Sequence, residues 1–119
     1  MAELYRGLPK TWRSPTMSPH CSDEKKYGVV ERVIAHYESV AERGGKLAGQ
    51  PIRELITVNG IRIVLEDGTW GLIRASSNKP ELVVVVESPV SEASMRAIFA
   101  ELDAHLATYP EVGAYNQKI

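Results

Sequence analysis

Residues 70–87 read WGLIRASSNKPELVVVVE, and the parsing of this stretch decides the architecture. It divides into a strand ending at Arg74, a polar loop Ala75-Ser76-Ser77-Asn78-Lys79-Pro80, and a second strand from Leu82 to Val86. One cation and several small hydrogen-bonding side chains therefore sit at a tight turn. A tetrahedral dianion such as a phosphate monoester needs donors from several directions. The guanidinium of Arg74, the hydroxyls of Ser76 and Ser77, the amide of Asn78, the ammonium of Lys79 and the loop N–H groups are such donors. An ordinary solvated hairpin loop has the same composition, so composition alone leaves both readings open.

Outward from this hairpin, Glu66-Asp67-Gly68 turns the chain into the strand that starts near Thr69. Before it, Arg53 to Val58 and Ile61 to Leu65 flank Asn59-Gly60, a pair whose tolerance of positive φ suits a two-residue hairpin turn. Ile61, Ile63 and Leu65 share one face, with Arg62 and Val64 on the other. In the last strand Leu82, Val84 and Val86 point one way and Val83 and Val85 the other, so both faces are apolar. Either a further element of the chain or another domain or subunit covers the second row.

Two helices complete the domain. From Asp23 to Arg43, Tyr27, Val30, Ile34, Tyr37 and Ala41 recur at spacings of three and four. Ser22 is the expected N-cap, Gly44-Gly45 the stop, and Asp23, Glu24 and Arg43 suit the helix dipole. Met95, Ile98, Phe99, Leu102 and Leu106 give a second helix within Ser91 to Tyr109, capped by Ser91. Lys46 to Pro51 reads as a polar connector, and Pro15 and Pro19 confine Ser14 to Cys21 to an extended segment or edge strand. Glu111 to Ile119 reads as a tail. The expected fold is α+β, a four-stranded, mostly antiparallel sheet with two helices packed on one face.

Composition narrows function mainly by exclusion. A chain of 119 residues, 44% hydrophobic and 24% charged, suits one domain, and a formal net charge of −1 supplies no field to gather nucleic acid or acidic membrane. The single cysteine, Cys21, excludes an internal disulfide framework and points to a reducing compartment. No apolar run is long enough to span a bilayer, and the N-terminus lacks an apolar signal core, so a soluble intracellular protein is expected. His20, His36 and His105 fall in different segments with no pair at ligand spacing. No Ser/His/Asp order, nucleotide-binding glycine loop or close carboxylate pair stands out. Glu66 and Asp67 belong to a solvated turn, and Trp70 reads as core packing or as a brace for the strand leading to the loop.

The stretch Gly71-Leu72-Ile73-Arg74-Ala75-Ser76-Ser77-Asn78-Lys79-Pro80, followed by the Val-rich strand and Glu87, resembles the C-terminal phosphate-binding loop of the α-D-phosphohexomutases. It is most similar to the bacterial phosphomannomutase/phosphoglucomutase branch. That family's loop commonly reads Arg-Ala-Ser-Asn-Thr-Thr/Glu-Pro. Arg74, Ser76 and Pro80 match it, whereas Ser77 stands where Asn or Gly is usual and Asn78 where Thr is usual. The order Leu8-Pro9, Ser14 to Cys21 and Ser22-Asp23-Glu24-Lys25 also resembles the passage from the third to the fourth domain of the family. The implied layout is a linker over 1–13, the C-terminal domain over 14–110 and a tail over 111–119, with a TATA-binding-protein-like arrangement.

By that resemblance Arg74, Ser76, Ser77, Asn78 and Lys79 bind the phosphate of a hexose phosphate. The parent would be a cytoplasmic isomerase, an intramolecular phosphotransferase interconverting hexose 1-phosphate and hexose 6-phosphate. The family's phosphoserine loop of Thr/Ala-Ser-His-Asn-Pro type, its magnesium loop of Asp-Gly-Asp-x-Asp-Arg type and its sugar loop near Gly-Glu-x-Ser-Gly-His do not occur in this sequence. The isolated chain is thus expected to be inactive, with no cofactor of its own and with Mg²⁺ bound by an absent preceding domain. The partners implied are the hexose phosphate and those domains, with neither nucleic acid nor membrane. A free-standing α+β module that binds or self-associates through its outer sheet face is the alternative. A sheet-based RNA binder ranks third, because it needs exposed aromatics and a basic surface.

Overall fold

A computed structural model of the chain describes residues 11–119, with elements β1 (Trp12–Arg13), α1 (Lys26–Glu42), β2 (Lys46–Leu47), β3 (Gln50–Ile56), β4 (Ile61–Leu65), β5 (Trp70–Ala75), β6 (Leu82–Ser88) and α2 (Glu92–Leu106). The Leu8-Pro9 pair and most of the linker lie outside the described residues. Asn59 and Gly60 adopt φ of 57° and 117°, the left-handed pair that matches strand twist, and they close the β3–β4 hairpin. In the next turn the Asp67 carboxylate accepts from the Thr69 N–H at 2.9 Å and from the Gln50 amide at 3.0 Å. Burial pushes this carboxyl up, but these hydrogen bonds outweigh it and leave its pKa lowered. Asp67 is therefore a structural turn acceptor as well as a solvated residue.

Among the described residues the sheet has six strands in the order β1-β6-β5-β4-β3-β2, with every neighbouring pair antiparallel. The four expected strands form its middle, and the expected count of four falls short by two short edges. One is β2, which lies in the stretch read as a connector. There Ala48 and Gly49 take φ of 51° and 78° and fold Lys46–Leu47 back onto Gln50 and Pro51. Gly49 is a usual marker of such a turn but Ala48 is not, so the hairpin left only half of the usual sequence signal. The other edge is β1, where Trp12 and Arg13 pair with Ser88 and Glu87.

Beyond β1 the chain keeps alongside β6 through bridges of Met17 to Val84 and His20 to Glu81. Its far side takes up the C-terminal residues, with His20 N–H donating to Ala114 O, Gly113 N–H to His20 O, and Asn116 N–H to Ser18 O at 2.7–3.1 Å. The segment read as a free tail is thus tied to the sheet margin. Strand β6 is central, flanked by β5 and by residues 12–20.

Both helices pack on one face. Ile61, Ile63, Leu65, Ile73, Leu82, Val84 and Val86 join Val29, Val33, Tyr37, Val40, Ile98, Phe99 and Leu102 in a single core. A Cβ on Gly71 would stand 2.6 Å from Leu102 Cδ1, so α2 rests directly on the β5 backbone. Helix α1 differs from expectation in two respects. It starts at Lys26, because Ser22 holds a preceding turn through its carbonyl, which accepts from the N–H groups of Lys25 and Lys26, and its side chain makes no cap. Its buried stripe is Val29, Val33, Tyr37 and Val40 with Val30, whereas Tyr27 is 57% exposed and Ile34 and Ala41 are half-buried. Helix α2 follows expectation, with Ser91 Oγ accepting from Ser94 N–H at 3.0 Å.

On the opposite face Val64, Val83 and Val85 are also buried, outside the helix-side core. Trp70 belongs to this outer face and not to the core. The guanidinium of Arg62 lies 4.5 Å from its ring centroid and that of Arg13 5.9 Å, with Glu87 beside Arg13. Among the described residues no helix is long and apolar enough to cross a membrane.

Candidate functional site

At one end of the sheet the β5–β6 loop, the Asn59-Gly60 turn and the start of α1 come together. A Cβ on Gly60 would stand 2.5 Å from Ile73 O and 2.6 Å from Arg74 Cβ, so the β3–β4 turn is pressed against the base of Arg74. Between these elements runs a groove of about 520 Å³ lined by Tyr27, Val30, Asn59, Gly60, Arg74, Ala75 and Ser77.

The hydrogen bonds of the loop point in one sense. Ser76 N–H donates to Glu81 O at 2.9 Å and closes the loop at its base. The Lys79 carbonyl accepts twice, from Glu81 N–H at 2.8 Å and from the Lys26 ammonium at 2.9 Å. The Pro80 carbonyl accepts from Cys21 N–H at 2.9 Å. The carbonyls of residues 79 and 80 are therefore engaged by residues 21–26, and that of Glu81 by Ser76 within the loop. By contrast, the N–H groups of Ser77, Asn78 and Lys79 donate to no other described residue. Successive unpaired N–H groups make a concavity that attracts anions.

Arg74 is half-buried at the end of β5, opposite Val83. Its guanidinium has a single long contact, 3.5 Å from Nη1 to Ala75 O, which leaves the fork essentially uncommitted. Ser77, Asn78 and Lys79 are exposed. Ser76 is turned inward and 6% exposed, and its hydroxyl lies 3.4 Å from Asn78 Oδ1. The structure thus brings Arg74 and Ser77 together at the groove, leaves Asn78 and Lys79 exposed on the loop outside its lining, and buries Ser76 with its hydroxyl toward Asn78.

Lys26 escaped the sequence reading. It is 3% exposed, its ammonium donates to Asp23 Oδ1 at 2.7 Å as well as to Lys79 O, and the Tyr27 ring lies 5.3 Å away. A lysine among charged residues at a helix start reads as solvated. Only its long-range partner distinguishes it.

Cys21 is fully buried behind the loop, and burial, aided by Glu111, pushes its thiol up. It packs as a small hydrophobe. Two histidines meet unexpectedly: His36 of α1 and His105 of α2 stack with ring centroids 3.9 Å apart. The pair is a helix–helix contact that spacing along the chain could not show. His105 Nε2 lies 2.9 Å from Tyr109 Oη, and burial lowers the pKa of both imidazoles. No group of three or more His, Cys, Asp or Glu side chains among the described residues could hold a metal ion.

Comparison with known proteins bears on the same region. A family model described as phosphoglucomutase/phosphomannomutase, C-terminal domain, matches residues 21–105. A phosphopentomutase of Thermococcus kodakarensis is 36% identical over 92 residues, which are 77% of this chain and 19% of that protein. A probable phosphoglucosamine mutase of Methanothermobacter thermautotrophicus is 32% identical over 92 residues, 77% of this chain and 18% of that protein. A crystal structure of a phosphoglucomutase/phosphomannomutase family protein from Burkholderia thailandensis superposes with a TM-score of 0.66 at 21% identity, over 93% of this chain and 20% of that one, and shares the fold. The chain spans about a fifth of the length of these relatives.

Proposed function

Because the chain belongs to the phosphoglucomutase/phosphomannomutase C-terminal domain family, we propose that it binds the non-reacting phosphate of a hexose phosphate for a mutase that interconverts hexose 1-phosphate and hexose 6-phosphate. One observation supports the reading: the carbonyls of residues 79 and 80 are engaged by residues 21–26, while the N–H groups of residues 77–79 have no partner among the described residues and lie beside an uncommitted Arg74. Arg74 supplies the bidentate charged fork. Ser77 adds a hydroxyl and an N–H, Asn78 an amide steadied by Ser76, and Lys79 a screened point charge.

The chemical role of such a clamp is positional. A phosphate held away from the reacting carbon supplies binding energy that orients the sugar, which can be turned end for end between two transfers without leaving the site. The magnesium implied by the family has no candidate ligand set among the described residues, and we assign it, with the nucleophile, to other domains of the parent. Recognition by this chain rests on the phosphate. The names of the relatives include a pentose and an amino-sugar mutase, so the choice of sugar is tested together with the phosphate.

Charged hydrogen bonds contribute about 1.5–3 kcal/mol each, much of which an open loop loses to water and salt. The chain alone is expected to bind at about millimolar, near −4 kcal/mol. In an NMR titration, mannose 6-phosphate and glucose 1-phosphate should shift the amides of Ser77, Asn78 and Lys79, as should ribose 1-phosphate and glucosamine 6-phosphate. Unphosphorylated mannose should not. Arg74→Ala should abolish the shifts and preserve the fold. Shifts centred on the helices, or unchanged in Arg74→Ala, would remove the proposal.

A further inference from the structure

We propose that Lys26 is a positioning residue that sets the phosphate-binding loop from behind. The inference rests on the functional reading above only for its consequence for affinity; its effect on the loop stands apart from that reading. A lysine is almost never fully buried without partners. Lys26, at 3% exposure, has two: Asp23, three residues away with its side chain 70% exposed, and the carbonyl of Lys79, 53 residues away. The first is local and would form at any helix start. The second joins α1 to the one peptide group of the loop that has no N–H, since Pro80 follows.

This anchor holds the Lys79–Pro80 end of the loop to the start of α1. The Lys79 carbonyl also accepts from Glu81 N–H, so both its lone pairs are filled on the inner side. With the Cys21 N–H to Pro80 O bond, residues 21–26 draw two consecutive carbonyls inward. The N–H groups of residues 77–79 belong to the peptide units just before this anchor and have no partner among the described residues. The Tyr27 ring, 5.3 Å from the ammonium, borders both the buried cation and the groove beside Arg74. Lys26, itself buried, acts on the open side of the loop only through the Lys79 carbonyl.

The experiment compares the wild-type 119-residue chain with Lys26→Met, which keeps the stem and removes charge and donors, and with Lys26→Arg, which restores both. Urea denaturation first establishes that each variant folds. Two readouts follow: the carbonyl ¹³C shift of Lys79 with amide exchange at Ser76 and Glu81, and the dissociation constant for glucose 1-phosphate. In Lys26→Met the Lys79 carbonyl should move, Glu81 N–H exchange should quicken, and the dissociation constant should rise by up to about tenfold through lost placement of the loop, since Lys26 makes no bond to the phosphate itself. Lys26→Arg should recover part of each. The wild-type Lys26 ammonium should also give a slowly exchanging NMR signal that shifts when phosphate is added.

A folded Lys26→Met whose loop shifts and affinity match wild type would overturn the proposal. Should Lys26→Met not fold, Asp23→Asn, at an exposed carboxylate, loosens the ammonium without emptying the site. It should move the Lys79 carbonyl in the same direction by a smaller amount, and an unmoved carbonyl would be equally fatal. If wild type itself shows no phosphate-induced shift, the functional reading fails, while the carbonyl and exchange data still decide the role of Lys26.

Discussion

Gly60 stands where no side chain fits: at φ 117° and with Ile73 O and Arg74 Cβ at 2.5 and 2.6 Å from an added Cβ, even a methyl forces the turn off Arg74. Gly60→Ala should cost about 1–3 kcal/mol through strain and crowding, read as a lower urea midpoint, and should shift the Arg74 amide. The Asn-Gly pair made this turn legible, because it names a backbone conformation that few other pairs adopt. Contiguity made the loop residues legible too: Arg74 to Lys79 are neighbours in the chain and need no tertiary contact to be brought together. Lys26 was illegible for the opposite reason. Its burial comes from a residue 53 positions away.

Helix α1 admits two apolar stripes at helical spacing, and the sequence alone does not say which meets the sheet. Tyr37 belongs to both. The structure buries the Val29, Val33 and Val40 row and leaves Tyr27 outside, a rotation of the helix that only the shape of the facing strands selects. Val33→Ala should therefore cost about 2 kcal/mol, from lost transfer energy and a residual cavity. Tyr27→Ser should change stability by no more than about 0.5 kcal/mol, as at most exposed positions. Denaturant midpoints of the two variants check both.

Between the helices, the stacked His36 and His105 have pKa values held below their ordinary 6.5, first by burial and then by Arg43 for His36 and by each other's charge for His105. Lys46 and Glu101 border the same contact. The unfolded state thus takes up protons first, so stability is complete above pH 6.5 and is lost as pH falls through 6.5 toward the depressed folded values. Urea midpoints should fall between pH 7.5 and 5.5, and His36→Phe, which keeps a stacked ring, should flatten the fall. Glu111, whose carboxyl the Arg32 bond holds below its ordinary 4.5, loses its contribution only at lower pH, outside this window.

At the scale of the whole molecule, the α+β class, the antiparallel meander and the single helical layer were legible from alternation and helical period. Of the two extra edges, that beside β6 was legible in part, because Pro15 and Pro19 mark Ser14 to Cys21 as extended or edge, and β2 was not. Strand β1 and the docked tail hold their places partly by backbone hydrogen bonds, which carry no side-chain signature, and partly by scattered residues such as Trp12, Val112 and Tyr115 that show no period. Ending the chain at Pro110 removes four hydrogen bonds between residues 18–20 and 113–116, together with the Arg32–Glu111 and Lys118–Asp103 pairs. At about 0.5–1.5 kcal/mol per hydrogen bond, the loss should be roughly 2–6 kcal/mol, visible as a lower melting temperature. An unchanged melting temperature would show that these bonds merely replace equivalent ones to water.

The margin of the sheet also sets an order of events in time. Residues 16–20 lie between β6 and the C-terminal residues, and their bonds to Asn116 and Gln117 span 98 and 101 positions along the chain. During synthesis the meander and α1 are complete long before those partners emerge, and closing so long a loop costs entropy that only the final contacts offset. The margin is therefore the last part of the domain to close. Residues 20 and 21, which brace the β5–β6 loop through Glu81 and Pro80, leave that margin directly. The loop reaches its finished form only at the end of folding, and pulse-labelled hydrogen exchange should find the Cys21 amide protected later than those of β4 and β5.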